Sequence, residues 1–198
     1  MSKSIPAIIL AAGASQRLGE DKALLNAAGQ PLVALVAKRL AAGGCSPIVI
    51  VTRAELAFTC LSAAPGCKVS INKSPKDGRT GSIQVGLMAL GEDLGSLPKA
   101  VLIVPLDRPG WSMSTLEKVI DSEGCICPEK DGQGGHPLRI SDKEVKAIIA
   151  APSDISLRQL TKPQRIIVED EFLHLNIDTP EDMAELERWV SQSDGLSQ

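Results

Sequence analysis

Aromatic side chains are nearly missing from this chain: 198 residues include no tyrosine, two phenylalanines and two tryptophans. Stacking platforms for single-stranded nucleic acid are therefore not available in number. The core has to be built from Leu, Ile, Val and Ala. A charge excess is missing too. Lys and Arg number 21 against 24 acids, a net of −3, so neither nucleic acid nor an anionic membrane is expected as a partner. No apolar run approaches the ~18 residues that a membrane span needs. Histidines number two and cysteines five, with no C-x-x-C pair among Cys45, Cys60, Cys67, Cys125 and Cys127. That excludes the usual thiolate–histidine metal sets and an even disulfide framework. Reduced thiols in a cytoplasmic protein are the expectation, with Cys125 and Cys127 on one face of a strand. The first fifteen residues carry the parts of a secretory leader, namely Lys3, an apolar stretch and Ala12–Ala14. The stretch is short, though, and broken by Pro6, and cleavage there would delete the first strand, so a leader is not expected.

Two nucleotide fingerprints are also lacking. A P-loop needs G-x-x-x-x-G-K-[ST], whereas Gly13 and Gly19 have five residues between them and Glu20 follows. G-x-G-x-x-G fails because position 15 is Ser. What stands in their place is Leu10 to Lys22, LAAGASQRLGEDK, directly after the apolar run Ile5 to Leu10. Small residues following a strand let backbone N–H groups turn towards an anion, and Arg17 and Lys22 can neutralise it. The stretch reads as a phosphate cradle.

Further along, Pro31 opens an amphipathic helix with Leu32, Leu35, Val36 and Leu40 inward, closed by Gly43 and Gly44. Ile48 to Val51 reads as a parallel strand covered on both faces. Thr52 and Glu55 have the spacing of a capping box for a helix to about Leu61. Lys68 to Ile71 reads as a strand, Asn72 to Thr80 as a polar loop, Ser82 to Leu90 as a helix and Ala100 to Val104 as a strand. Ser114 and Glu117 can cap the helix that follows. The alternation predicts an α/β fold with a mostly parallel sheet and helices on both faces. After about residue 120 the rhythm breaks. Gly124 to Pro128, Pro137 to Ile140, Ile166 to Val168 and Leu173 to Ile177 read as extended. Ser141 with Glu144 caps a helix to about Ala150. Thr179-Pro180-Glu181-Asp182 starts a final helix, with Pro at the first turn and acids on the positive dipole end. No repeat, linker or second domain is visible, so residues 1–198 read as one domain with a frayed tail from Ser191.

The loop LAAGASQRLGEDK resembles L-A-A-G-x-S-x-R-x-G-x-x-K, the signature of the nucleotidyltransferase superfamily, and is most similar to the molybdenum-cofactor nucleotidyltransferases. Three more segments agree in family order. Gly78 to Leu87, GRTGSIQVGL, resembles G-M-S-S-S-L-x-x-G-L at the nucleobase pocket, with Arg79 and Gly81 replacing Met and Ser. Ser82 there is read equally well as a helix cap. Val104 to Pro109, VPLDRP, resembles the G-D-x-P after the central strand, with Leu106 in place of Gly; by itself it reads as a plain turn. Asn176 to Met183, NIDTPEDM, resembles D-I-D-T-P-E-D-L, with Asn176 in place of an acid. Gly134-Gly135-His136-Pro137 resembles R-G-H-P on the acceptor side, where His136 reads as a hydrogen bonder to substrate rather than a proton shuttle. His174 reads as a strand residue.

The resemblance implies a three-layer α/β/α, Rossmann-like nucleotidyltransferase fold with a mixed, mostly parallel central sheet. It implies Mg²⁺-dependent transfer of a nucleotidyl group to a phosphorylated acceptor, with pyrophosphate leaving. Leu10, Ala11, Ala12, Gly13, Ala14, Ser15, Arg17, Lys22, Ser82 and Asp107 would bind the nucleotide, and Arg17, Lys22 and Asp107 would act in catalysis. Asp107 and Asp178 would hold the metal, and His136 would meet the acceptor. The second Ala and the Ser of the loop resemble relatives that transfer cytidylyl groups, since guanylyl-transferring ones more often carry L-A-G-G. CTP with the molybdenum cofactor's pterin phosphate is thus the expected pair, and a molybdoenzyme is a possible transient partner. The alternatives are a GTP-using molybdenum-cofactor guanylyltransferase, a sugar-phosphate or isoprenoid-precursor cytidylyltransferase, and a non-catalytic nucleotide-binding relative. A Rossmann oxidoreductase is disfavoured by the glycine spacing.

Overall fold

Ile5–Leu10 has no polar side chain to interrupt it, and in the computed structural model it forms β1, the strand on which the sheet is centred. The structure describes residues 4–13, 18, 19 and 21–194. A tight hairpin of β2 (Asn26–Ala27) and β3 (Gln30–Pro31) turns on Ala28 and Gly29, both at positive φ, as a two-residue hairpin loop requires. It leads into α1 (Leu32–Ala42), β4 (Cys45–Thr52), α2 (Ala54–Ala63), β5 (Lys68–Ile71), α3 (Arg79–Leu94) and β6 (Ala100–Pro105). Then come α4 (Met113–Asp121), β7 (Ile126–Lys130), β8 (Gln133–Gly134), β9 (Leu138–Ser141), α5 (Asp142–Ala150), α6 (Leu157–Leu160), β10 (Gln164–Ile167) and α7 (Met183–Asp194).

The sheet order is β10-β7-β9-β6-β1-β4-β5, with β8 paired to β7. β1 is parallel to β4 and β6, β4 to β5, and β10 to β7. β9 runs antiparallel to β6 and β7. The sheet is thus mixed and mostly parallel, as expected. Successive strand residues point to opposite faces, so Ala7 and Ile9 enter one core and Ile8 the other. The first core holds residues of α1, α2, α4 and α7; the second holds those of α3 and α5. Helices therefore cover both faces. Gly86 lets α3 approach closely, because a Cβ there would lie 2.7 Å from Ile8 Cγ2.

The two tryptophans have one partner. The Arg39 guanidinium lies 5.0 Å from the Trp111 ring and 5.1 Å from the Trp189 ring, and it donates to the Trp111 carbonyl at 2.7 Å. This cation–π stack ties α1 to α7.

Several local readings change. Thr52 is not a cap: it ends β4, fully buried, and its hydroxyl donates to the Ala11 carbonyl. Arg53 takes the cap position of α2. Ser112, two residues before Ser114, caps α4 by accepting from the Thr115 N–H. Ser82 lies inside α3, which starts at Arg79. Leu173 to Ile177 is not a strand. Its apolar residues are buried, but its backbone bonds are those of turns and loop contacts, such as Leu175 N–H to the Phe172 carbonyl. The Ser141–Glu144 capping box is present, and Thr179 forms another with Asp182.

Candidate active site

Parallel pairing puts the carboxyl ends of β1, β4 and β6 side by side. Leu106 N–H donates to the Leu10 carbonyl at 3.1 Å, and Ala11 N–H to the Val51 carbonyl at 2.8 Å. The loops after β1 and β6 therefore leave the sheet together, where ligands bind in open α/β sheets. Asp107 follows β6. Its carbonyl accepts from Ile177 N–H at 3.0 Å, and this bond brings in the segment that carries Asp178.

The two carboxylates converge on one ammonium. Lys22 Nζ lies 2.5 Å from Asp178 Oδ1 and 3.8 Å from Asp107 Oδ2. The other Asp178 oxygen accepts from Asn176 Nδ2 at 2.7 Å. The backbone here is fixed by Asp182, whose carboxylate accepts from the N–H groups of Asp178 and Thr179 at 2.8 and 2.7 Å. Those two bonds hold the Asp182 pKa below the usual carboxylate range. Beside Lys22, Asp21 is paired with Arg53, which anchors the loop to the start of α2.

Among the described residues no cluster of three or more His, Cys, Asp or Glu could form a metal cage. Two hard carboxylates around a cation are still a fitting donor set for Mg²⁺, which takes one or two carboxylates plus phosphate and water oxygens.

A cavity of about 460 Å³ opens over this cluster. Leu10, Ala11, Ala12, Gly13, Lys22, Ser82, Asp107 and Asp178 all line it. Ala14, Ser15 and Arg17 lie outside the described residues. Ser82 is buried, and its hydroxyl accepts from Asn72 Nδ2 at 2.9 Å, while Asn72 Oδ1 accepts from Ser74 N–H. Sequence reasoning passed over Asn72, Asp21 and Arg53, whose partners are remote in the chain or on another element.

Three of the departures from the family pattern are accommodated. Leu106 is buried in the core and keeps its bond to β1. Gly81 donates to the Ser153 carbonyl at 3.1 Å, and a Cβ at 81 would lie 3.2 Å from Ser153 Cβ, so this chain has little room for a serine. Asn176 orients Asp178.

His136 is not in this cavity. It lines a second one of about 1000 Å³, which shares Gly78 and Arg79 with the first. Burial, with Arg79 and Arg108 nearby, pushes the His136 pKa down to about 3. The ring is neutral at physiological pH and is no proton donor there. His174 also lines the second cavity; it sits in a turn rather than a strand, with Nε2 3.0 Å from the Lys130 carbonyl. Burial raises the Cys127 thiol pKa, and that of Cys125 to about 12, as expected of unreactive thiols.

Residues 7–170 match the MobA-like NTP transferase domain family. The chain belongs to this family. Within curated proteins it is 31% identical over 120 residues to the nicotine blue oxidoreductase of Paenarthrobacter nicotinovorans, covering 60% of this chain and 56% of that one. It is 26% identical over 133 residues to a probable molybdenum cofactor guanylyltransferase of Opitutus terrae, covering 66% and 63%. The match thus spans a little over half the length of these relatives. Among solved structures, Mycobacterium tuberculosis Rv0371c aligns with TM-score 0.79 at 20% identity, over 95% of this chain and 99% of that one. The same protein in complex with manganese gives TM-score 0.75 at 18% identity, over 94% and 99%. At that identity the likeness speaks for the MobA-like fold alone.

Proposed function

We propose that this MobA-like protein transfers CMP from CTP to a phosphorylated small-molecule acceptor, the molybdenum cofactor's pterin phosphate, and releases pyrophosphate. The observation that carries the reading is the convergence of Lys22, Asp107 and Asp178 in one cavity at the ends of β1 and β6. Two acids beside a site for a polyanion make chemical sense only with a cation between them. Asp107 and Asp178 would hold Mg²⁺, which supplies charge neutralisation and Lewis acidity when bound. Manganese in a structural neighbour's complex is compatible with a divalent ion in this fold.

Residues of the chain do the rest. With the carboxylates holding the metal, Lys22 would turn to the triphosphate. Backbone N–H groups from Ala12 to Ser15, with Arg17, hold the phosphates. Ser82, fixed by Asn72, stands on the base side, where hydroxyl and backbone groups can read the cytosine edge. An acceptor phosphate oxygen forms a bond to the α-phosphorus in line, the bond to the β-phosphate oxygen breaks, and pyrophosphate takes the electron pair. No covalent enzyme intermediate is needed, since positioning and charge stabilisation suffice. His136 acts as a neutral hydrogen bonder on the acceptor side.

The base preference rests on Ala12 and Ser15 of the loop, while a relative is named a guanylyltransferase. Thermal unfolding against each nucleoside triphosphate, with and without Mg²⁺, decides it. A ligand at 100 times its Kd adds about 2.7 kcal/mol, and each kcal/mol is worth about 2–4 °C at this size. CTP with Mg²⁺ should give the largest shift; equal shifts from CTP and GTP, or a larger one from GTP, would overturn the CTP assignment. A second reading, an oxidoreductase, is favoured by the name of the 31% identical relative. Stabilisation by a nicotinamide dinucleotide in the same assay, with none by any triphosphate, would select it.

A further inference from the structure

Arg79 and Arg108 line the larger cavity, and the exposed Arg79 lines the smaller one as well, at the edge the two share. Arg79 is the first residue of α3, a helix of 16 residues. A cation there opposes the positive end of the helix dipole. Arg108, half-buried, follows Asp107 and lines only the larger cavity. Neither guanidinium has an ion pair or side-chain hydrogen bond among the described residues. Both lie near enough to His136 to disfavour its protonation. His136 Nδ1 is out of solvent and makes no hydrogen bond among the described residues. Buried polar atoms are rarely left unpaired, and this one belongs to a residue that lines the larger cavity.

The remaining charges on the larger cavity do not explain the pair. Four arginines line it against two aspartates, Asp77 and Asp154. Arg165 is already engaged, by Glu129 at 3.7 Å and the Gly132 carbonyl at 2.7 Å. Asp77 accepts from the Ser153 hydroxyl. Arg79 and Arg108 are where the similar family pattern has no fixed cation: Arg79 stands in place of methionine, and Arg108 at the variable position after the acid.

We propose that Arg79 and Arg108, with the N-terminus of α3 and the neutral His136, clamp the phosphate of the acceptor at this edge. The proposal rests on the transferase reading and adds the residues that hold the acceptor's phosphate, with the acceptor's body in the larger cavity, about 1000 Å³ against about 460 Å³ for the nucleotide's. Paired guanidiniums suit a phosphate dianion in charge and hydrogen-bond geometry. They also offset its repulsion from the triphosphate across Gly78. His136 Nδ1 completes its hydrogen bonding on the ligand.

The test uses phenyl phosphate, a monoester without a nucleobase, titrated into Lys22→Ala protein so that the triphosphate site is silenced. Binding should move the His136 ring resonances in NMR. Arg108→Gln should weaken it about 10-fold, and Arg79→Gln with Arg108→Gln should abolish it, with thermal unfolding unchanged. Arg108→Gln in otherwise wild-type protein should leave the Kd for CTP with Mg²⁺ within about twofold. Phenyl phosphate binding that ignores both arginines, or no binding at all, would overturn the clamp. So would an Arg108→Gln loss for CTP as large as for phenyl phosphate, which would assign the guanidinium to the triphosphate. The two readings fail separately: triphosphate stabilisation survives a failed clamp, and phenyl phosphate still reports on the clamp if no triphosphate binds.

Discussion

In the smaller cavity Lys22, Asp107 and Asp178 already satisfy one another, and Asn176 and Asp182 hold the acid-bearing segment in place. In the larger cavity Arg79 and Arg108 lie near a neutral His136, and among the described residues no carboxylate is paired with either. The first arrangement is organised within the chain itself, with the Lys22 ammonium against both carboxylates. If a divalent ion takes the lysine's place between the carboxylates, as proposed above, metal and triphosphate should bind together. The second arrangement has nothing to exchange and gains simply by admitting an anion. Preorganised charge suits the groups around the reacting phosphorus, while unpaired charge suits a site that must capture and align an incoming substrate.

The contrast can be broken most severely at Lys22. Lys22→Ala should lower turnover by ~10²–10³-fold, as for loss of one contact to developing charge, with the fold intact. Unfolding with unchanged activity per folded molecule would make the lysine structural. Asp107→Asn and Asp178→Asn should each lower turnover at least ~10²-fold; wild-type rates from either would remove that residue from the site. The Asn176 amide donates to Asp178, so Asn176→Ala should raise the Mg²⁺ concentration for half-maximal activity by ~10-fold with little change in melting temperature. An unchanged Mg²⁺ requirement would show that Asp178 needs no orienting partner.

The smallest effect belongs to the larger cavity. The His136 pKa is about 3 in the folded protein and near 6.5 in the unfolded chain. The unfolded state therefore binds more protons between those values, and His136 lowers stability as pH falls through that window. From pH 7 to pH 5 this amounts to about 2 kcal/mol. Urea unfolding of His136→Gln should show a smaller loss over that interval by about that amount. An identical loss in both proteins would mean that the ring titrates normally.

The smaller cavity was legible in the sequence because most of its lining sits at strand ends, where the run Ile5 to Leu10, the loop to Lys22 and Asp107 stand out locally, while Asp178 stands out through the NIDTPEDM segment. Helix starts read from i, i+3 spacing held where the spacing was the cause, at Ser141 and at Thr179. They failed at Thr52, whose hydroxyl belongs to a buried strand, and at Ser114, where Ser112 was better placed. Leu173 to Ile177 looked extended because its apolar residues are buried, yet burial does not require strand pairing. The larger cavity was hardly legible at all. Its walls come from the start of α3, the stretch of 132–138 and residues between 154 and 165, with Arg108, Cys127 and His174, and α3 is held there by contacts such as Thr80 to the Ile155 carbonyl and Gln84 to those of Ile148 and Ala151. No short spacing encodes them.

A crystal structure with manganese and a non-hydrolysable CTP analogue tests the central claim most directly, because anomalous scattering locates the metal independently of the ligand. The expected result is one manganese ion in direct contact with both Asp107 and Asp178, phosphate oxygens completing its shell, and Lys22 moved from the carboxylates to the triphosphate. Manganese bound elsewhere, or a triphosphate held with Lys22 still paired to Asp178 and no metal between the acids, would contradict it.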